Sequence, residues 1–590
     1  MVVFALVVIS LVTVATSGVH ALWKKIDPGG AANTGPLELL AAGTLVGISG
    51  WLAINWILAL THTLRPAPLW ICVCALLLAA ATIAVRHARV LARQQVPGEL
   101  GRALLFLIPL ALWIVYILWR GFVLPVSTHD ALSYHLPKAA LMERAGGYEY
   151  FEANDPRIAG FAFNYELLLA DMLILGKTDV YTEWVGTVSY LLLLLATAAL
   201  AERWWRSGPL PIVAAVIATA SAPVLLLHSG AHKNDLLIAT FAVCALMWGS
   251  RWVVEGGRIP MMLLILALGV GFGTKTTMAP FGVALAPFLL YRVIGSIRAR
   301  TITVRDFTYA AIFSILTVVL GGGFYIVVNR LHATTGETPI FMYGDWQNLW
   351  QVPYLLLTIP FSTIPEGVWV PWRHEYWYWP HYEIYFSHYG RLITLLVLAL
   401  PVVASILRDA REAGRRKERA VAVAASLVTI VVMLPTVFRP LGFFGAFPRY
   451  FAFIVPVVAC LVLPPVTAAV SRRIRWAILT ALTAAFCLEA VLCAEHDRFA
   501  PFTYAVWASE HPGTRYIYFD PNRAGSMVDS VAGPHDRIAV DGAYDTWVCP
   551  AFGPNRTRPI TFLPNGATPD QIPPDAKWVM IDRSWDKLWS

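Results

Sequence analysis

The sequence predicts an all-α polytopic membrane protein of about fourteen transmembrane helices, with a small extracytoplasmic α/β domain at its C-terminal end. Three observations predict it. Apolar runs near the ~20 residues that a spanning helix needs recur along most of the chain. Charged residues make up 14% of the 590 residues against a 57% hydrophobic share, and the mean hydropathy is +0.61, too little charge to cover a soluble surface of this size. The gaps between the runs also alternate in basicity.

The runs fall at Val2–Ala21, Leu37–Leu60, Leu69–Val85, Ala103–Val123, Trp184–Ala201, Leu210–Leu227, Leu236–Val254, Ile259–Gly273, Met278–Ile294, Tyr309–Val328, Leu392–Ile406, Val421–Phe438, Phe451–Val470 and Ala477–Leu492. Between them, Lys24–Lys25, Arg86/Arg89/Arg93/Arg102, Arg203/Arg206, Arg251/Arg258, Arg292–Arg305, Arg408–Arg419 and Arg472/Arg473/Arg475 all fall on one side. The positive-inside rule makes that side cytoplasmic and puts both termini outside. The first run has no basic stretch ahead of it, so it reads as a retained helix and not a cleaved signal peptide.

The expected organisation is then N-terminal transmembrane helices over 1–123, a first long extracytoplasmic loop with interfacial helices over 124–183, and central helices over 184–328. An aromatic-rich outer loop over 329–391, further helices over 392–494 and a soluble outer domain over 495–590 complete it. In that last region Tyr516–Phe519, Arg537–Val540, Ile560–Leu563 and Trp578–Ile581 read as short strands between Pro, Gly and Asp turns. The net charge of +8 is no nucleic-acid signature, because the basic residues sit in the gaps, where they set topology. Six of the seven cysteines lie in or beside apolar runs and Cys549 lies in the tail, so neither a disulfide framework nor a zinc spacing appears.

Chemistry is sparse in such a chain, and what there is gathers on the outer side. The first outer loop opens with Ser127-Thr-His-Asp-Ala-Leu-Ser-Tyr-His-Leu-Pro137 and stops at Gly146-Gly147; proline suits a helix start and paired glycine a stop. A short interfacial helix is expected there, with Leu141 and Met142 against lipid and Asp130 either a simple cap or a functional carboxylate. His228, His232, Lys233, Asn234 and Asp235 fill the next outer gap, where Asp235 or Asn234 again has a capping alternative. Gly269-Val-Gly-Phe-Gly-Thr-Lys-Thr-Thr277 looks like a phosphate loop but has Thr274 before the lysine and ends a hydrophobic helix; Gly269 and Gly273 fit close helix packing instead. Lys275 either snorkels to the interface or meets an anionic group such as a lipid phosphate. Arg449, in the outer gap before the thirteenth run, either anchors at the interface or holds a phosphate through two parallel hydrogen bonds. The aromatic loop carries Trp346, Trp350, Trp369, Trp372, Trp377 and Trp379, the composition of an interface belt and also of a sugar-stacking surface. His374, Glu375, His381, Glu383 and His388 lack a recognised ligand spacing, so a divalent metal has no support there.

These stations form a pattern. His129-Asp130-Ala-Leu-Ser-Tyr134-His135-Leu-Pro137 resembles the first-loop motif of family 39-like glycosyltransferases of the GT-C superfamily, the ArnT and protein mannosyltransferase type. Lys233-Asn234-Asp235-Leu236, Gly271-Phe-Gly-Thr-Lys275 and Arg449-Tyr450 resemble three further stations in the same order, and Ala539–Pro554 extends the likeness into the tail. The first hundred or so residues lie outside it. The resemblance implies a multi-pass enzyme of the cell (plasma or inner) membrane and cell envelope, a hexosyl- or pentosyltransferase. Its donor would be a sugar on a polyprenyl phosphate and its acceptor a lipid, glycan or protein hydroxyl. It implies Asp130 as general base, Lys275 and Arg449 at the donor phosphate, and His129, Tyr134, His135, Asp235 and Tyr450 as further site residues. In one respect the chain departs from the pattern: many relatives carry two adjacent acids in the first loop, whereas here the neighbour is His129. Glu143, Glu152, Asp155 and Asp235 are the alternatives for a second acid. Two other readings stand beside the enzyme, a transporter or lipid flippase and a non-catalytic assembly subunit. The long outer segments and the absence of evident internal symmetry favour the enzyme.

Overall fold

The computed structural model describes residues 2–91, 98–124, 126, 128–153, 155–206, 208–300, 303–323, 325, 331, 413–437, 449, 451–496, 509, 524–542, 546–553, 555–564 and 566–582. Among the described residues, seven helices are long and apolar enough to cross a bilayer, and a bent pair would make eight. They begin with α1 (Val2–Ile26), α2 (Pro36–Leu60) and α3 (Pro66–Leu91). The bent pair is α4 (Gly98–Leu105) and α5 (Ile108–Val123), turned by 44° where Pro109 opens the second piece. The run Leu392–Ile406 and nearly all of the aromatic loop, including its candidate metal residues, lie outside the described residues.

The centre of the bundle is α8 (Glu183–Trp205) and α10 (Asp235–Glu255), whose side chains are almost continuously buried. They pack on each other and on α11 (Arg258–Thr274), α12 (Ala279–Arg298) and α14 (Ala413–Val437). A helix apolar on every side belongs in such an interior. Two charged residues at the predicted cytoplasmic ends fix its register. Arg203 holds Glu418 through Nε and Nη2 at 2.9 and 2.5 Å, and Arg251 holds Glu38 at 2.5 Å. The run Leu210–Leu227 is not one helix: it breaks into α9 (Pro209–Ala220) and a short piece, Pro223–His228. Pro223 has no N–H to continue the ladder, and it forces Ala222 into extended backbone at ψ 121°.

The glycines of α11 do what close packing requires. A Cβ on Gly273 would lie 1.4 Å from the carbonyl oxygen of Gly321, just past α13 (Val304–Leu320), and one on Gly269 would meet Thr317 of that helix. In the first outer loop, a π-helical turn over Ala131–His135 leads into α6 (Leu136–Ala145), with Pro137 in its first turn and Gly146 ending it at φ +69°. The expected interfacial exposure is corrected in one respect: Met142 is fully buried and Leu141 half-buried. The helix is covered by α7 (Asn164–Gly176) on one flank and by the C-terminal segment Cys549–Phe552 on another.

The C-terminal region holds a parallel three-stranded sheet in the order β2-β1-β3: β1 is Arg537–Gly542, β2 Ile560–Phe562 and β3 Ala576–Asp582. Ile538 pairs with Ile560 and Trp578, and Val540 with Phe562 and Met580. A helix, Ala524–Val531, packs on β3, so this is an α/β arrangement. Three of the four sequence-read strands are these; the fourth, Tyr516–Phe519, lies outside the described residues.

Candidate active site

Four chain segments far apart in sequence bring their ionisable groups together. Asp130 stands at the start of the π-helical turn, a widened turn of the sort that recurs at functional sites. Its side chain caps no helix. Instead Oδ2 lies 2.8 Å from Nη1 of Arg449 and 3.4 Å from Nζ of Lys233. Asp235, in the first turn of α10, takes Nζ of Lys275 at 2.5 Å on Oδ1 and faces Nε of Arg449 at 3.8 Å on Oδ2. Arg449 therefore bridges the two carboxylates. His228 flanks Asp235 at 4.0 Å, with its Nδ1 donating to the Val224 carbonyl.

The backbone that carries these groups is pinned. Lys275 ends α11 in extended conformation, and the Thr274 carbonyl before it accepts from Asn234 Nδ2 at 3.2 Å. Asn164 donates to the carbonyls of Val270 and Gly321 and accepts from Trp56 Nε1 at 2.7 Å, which locks the end of α11 to α7 and α2. Three cations face two carboxylates, so the cluster carries one positive charge in excess. Burial acts to raise the Asp130 carboxyl, but Lys233 and Arg449, with His129 and Arg157, outweigh it and hold the group well below the usual carboxylate range. Lys233 is also lowered from its ordinary value, by burial and then by the Arg449 charge.

The remaining predicted residues take different places. His129 accepts at Nδ1 from Trp547 Nε1 of the C-terminal region, at 2.7 Å. Tyr134 lies under the Arg157 guanidinium, 4.4 Å from its ring, and Asp155 holds that guanidinium on two sides. His135 donates through Nδ1 to Glu166 at 2.7 Å, and both are fully buried. Burial lowers His135 and leaves the neutral ring as the dominant form. Tyr450 lies outside the described residues. Of the candidate second acids, Asp155 is engaged by Arg157, Glu143 by Arg556, and Glu152 is exposed; Asp235 shares Arg449 with Asp130. Sequence reasoning gave Lys233 no role of its own, although it lies inside a motif already noted. It missed Glu166 altogether, since nothing in the 31-residue separation from His135 signals the pair. Among the described residues, no group of three or more His, Cys, Asp or Glu side chains is placed to hold a metal ion.

A bundle of apolar helices with a charged cluster at one end, joined by short helices and a small α/β unit, defines a multi-pass membrane protein. The structure of ArnT from Cupriavidus metallidurans bound to undecaprenyl phosphate aligns over 80% of this chain and 90% of that one, at TM-score 0.51 and 13% identity. Its apo state aligns over 81% and 90%, at TM-score 0.50 and 13% identity. The arabinosyltransferase EmbB from Mycobacterium smegmatis matches over 76% of this chain and 46% of its own at TM-score 0.32 and 16% identity, too low to bear on the fold. No family model and no curated relative matches the sequence. At 13% identity the likeness to ArnT is a likeness of fold.

Proposed function

We propose that this protein is a membrane glycosyltransferase that moves a sugar from a polyprenyl-phosphate donor to an acceptor hydroxyl on the extracytoplasmic side, with inversion at the anomeric carbon. The observation that carries the proposal is the shared cluster: one carboxylate, Asp130, held by Arg449 and Lys233, with Asp235 and Lys275 alongside. The fold shared with an ArnT structure that holds undecaprenyl phosphate supports a lipid phosphate as the group those cations receive.

The charges balance through such a reaction. A phosphodiester donor brings one negative charge to a cluster with one positive charge in excess. The acceptor oxygen forms its bond to the anomeric carbon as its proton passes to Asp130. The bond from that carbon to the phosphate oxygen breaks, its electron pair stays on the phosphate, and the phosphate gains a second negative charge. Asp130 has become neutral in the same step, so Lys233, Lys275 and Arg449 face the phosphate and Asp235 with no net charge left over. Fixed cations aimed at developing charge are the largest single contribution in many enzymes. Donor binding also frees the base: a phosphate that draws Arg449 away removes a charge that now suppresses Asp130, and the carboxylate becomes a better proton acceptor. The test is purified wild type and Asp130→Asn given a lipid-linked sugar. A loss of about 10²–10⁴-fold in transfer is expected; transfer at the wild-type rate by the variant would remove Asp130 from the chemistry and the proposal with it.

A further inference from the structure

A cavity of about 420 Å³ lies among α1, α2, α3, α7 and α8, and none of the Asp130 cluster lines it. Its wall is almost wholly apolar, with Val7, Leu11, Ile48, Leu168 and Val188 typical of it. One carboxyl interrupts that wall. Asp171 of α7 is 4% exposed, and its Oδ2 accepts from Trp51 Nε1 at 2.8 Å and from Asn55 Nδ2 at 2.6 Å. The other oxygen, Oδ1, meets no donor among the described residues, and neither does Oδ1 of the fully buried Asn55. A buried carboxylate oxygen on a residue of the cavity wall, lacking a donor, is costly unless something supplies one. An ionisable residue in such surroundings is by default a functional feature.

The surroundings specify what that something is. Trp70 lines the cavity and is 39% exposed, on a helix whose Ile71 and Leu78 are more exposed still, so the mouth opens on a surface apolar enough to face lipid. The occupant therefore comes from the bilayer and is mostly hydrocarbon. Its polar end must donate a hydrogen bond. An ammonium would have to be stripped of water as a full charge, whereas a hydroxyl is stripped far more cheaply. Burial pushes the Asp171 carboxyl up to about 7, so acid and carboxylate forms coexist near neutrality. A hydroxyl suits both: it donates to the carboxylate and accepts from the acid. An anionic head would face the Asp171 carboxylate with no Lys or Arg in the cavity lining to offset the two charges, and is excluded.

We propose that this cavity binds a long-chain lipid alcohol, with its hydrocarbon chain along the wall and its hydroxyl on Asp171. The site is separate from the sugar-transfer proposal and stands or falls without it. The test uses the full-length protein in detergent micelles with a diazirine-bearing hexadecanol and, as control, the methyl ether of the same probe, which cannot donate. Crosslinked peptides are read by mass spectrometry. The alcohol is expected to label residues 7–12, 168–176 and 184–192 at least ten-fold more than the ether, with unlabelled hexadecanol competing and hexadecyl phosphate not. Equal labelling by alcohol and ether, or no labelling of those peptides, would overturn the proposal. Val188→Phe places a ring in the cavity without touching Asp171. Labelling should fall at least ten-fold in this variant at unchanged thermal stability, and undiminished labelling in a stable Val188→Phe protein would also overturn it.

Discussion

Arg449 faces both carboxylates, while Lys233 faces Asp130 and Lys275 faces Asp235, so single substitutions should separate their roles. Arg449→Ala and Lys275→Ala each remove a cation proposed to stabilise the leaving phosphate, and a loss of about 10²–10³ in kcat/KM for the lipid-linked donor is expected of each. Steady-state kinetics with varied donor checks it, and unchanged donor kinetics in both would contradict the phosphate role. Lys233→Gln should act differently, through the base. Asp130 is now held below the usual carboxylate range, so its carboxylate persists at every pH above that lowered value and the acid limb of kcat/KM lies low. Without Lys233, the burial that opposes ionisation is less opposed, the Asp130 pKa rises, and the acid limb moves to higher pH. A pH profile of wild type and variant gives the sign directly. The sequence made Asp130, Asp235, Lys275 and Arg449 legible as partners because charge asymmetry put all four on one face. It could not show that Arg449 bridges the acids, or that His135 leans on Glu166, since those pairings depend on side-chain geometry across separate helices.

Elements were legible where periodicity and punctuation agree. Gly269 and Gly273 read correctly as a close-packing pair, because a glycine stripe on an apolar helix has few other uses. Proline breaks inside long apolar runs were less legible: Leu210–Leu227 passes for one span by hydropathy, and the structure divides it at Pro223. The burial of Met142 was hidden too, since its helix is covered by α7 and by the C-terminal segment Cys549–Phe552, neither of them adjacent in sequence. Gly273 yields the prediction at this scale. A methyl group there would collide with backbone, not with a yielding side chain, so α11 and the turn at Gly321 must separate. Gly273→Ala is expected to cost about 1–3 kcal/mol of stability, the usual range for overpacking. Because Lys275 lies two residues on and 2.5 Å from Asp235, donor turnover should fall further than stability alone explains. Thermal melting in detergent beside donor kinetics at a temperature where the variant is folded separates the two effects.

At the scale of the whole molecule, the strands of the C-terminal region were readable from turn residues and alternation, but their docking on the first outer loop was not. Side-chain contacts among the described residues make that joint. Trp547 donates to His129, the neighbour of Asp130; Arg556 holds Glu143 of α6 at 2.6 and 3.1 Å; and Arg144 of α6 donates to the Arg558 carbonyl at 2.7 Å. Each partner is more than 400 residues from the other, so no local pattern encodes the joint. Its consequence is that the C-terminal unit sets the orientation of the segment bearing Asp130. The Glu143–Arg556 pair is half-protected, with side chains 25% and 9% exposed, so it should couple modestly, within about 0.5–3 kcal/mol in a double-mutant cycle of Glu143→Gln and Arg556→Gln on melting. Trp547→Phe keeps the ring and removes the donor. It should leave melting within about 1 kcal/mol, the net worth of one such bond, yet lower kcat several-fold with donor KM little changed, because His129 is no longer fixed beside the proposed base. Equal kcat in wild type and Trp547→Phe would mean that the C-terminal unit shields the outer face without positioning the reacting carboxylate.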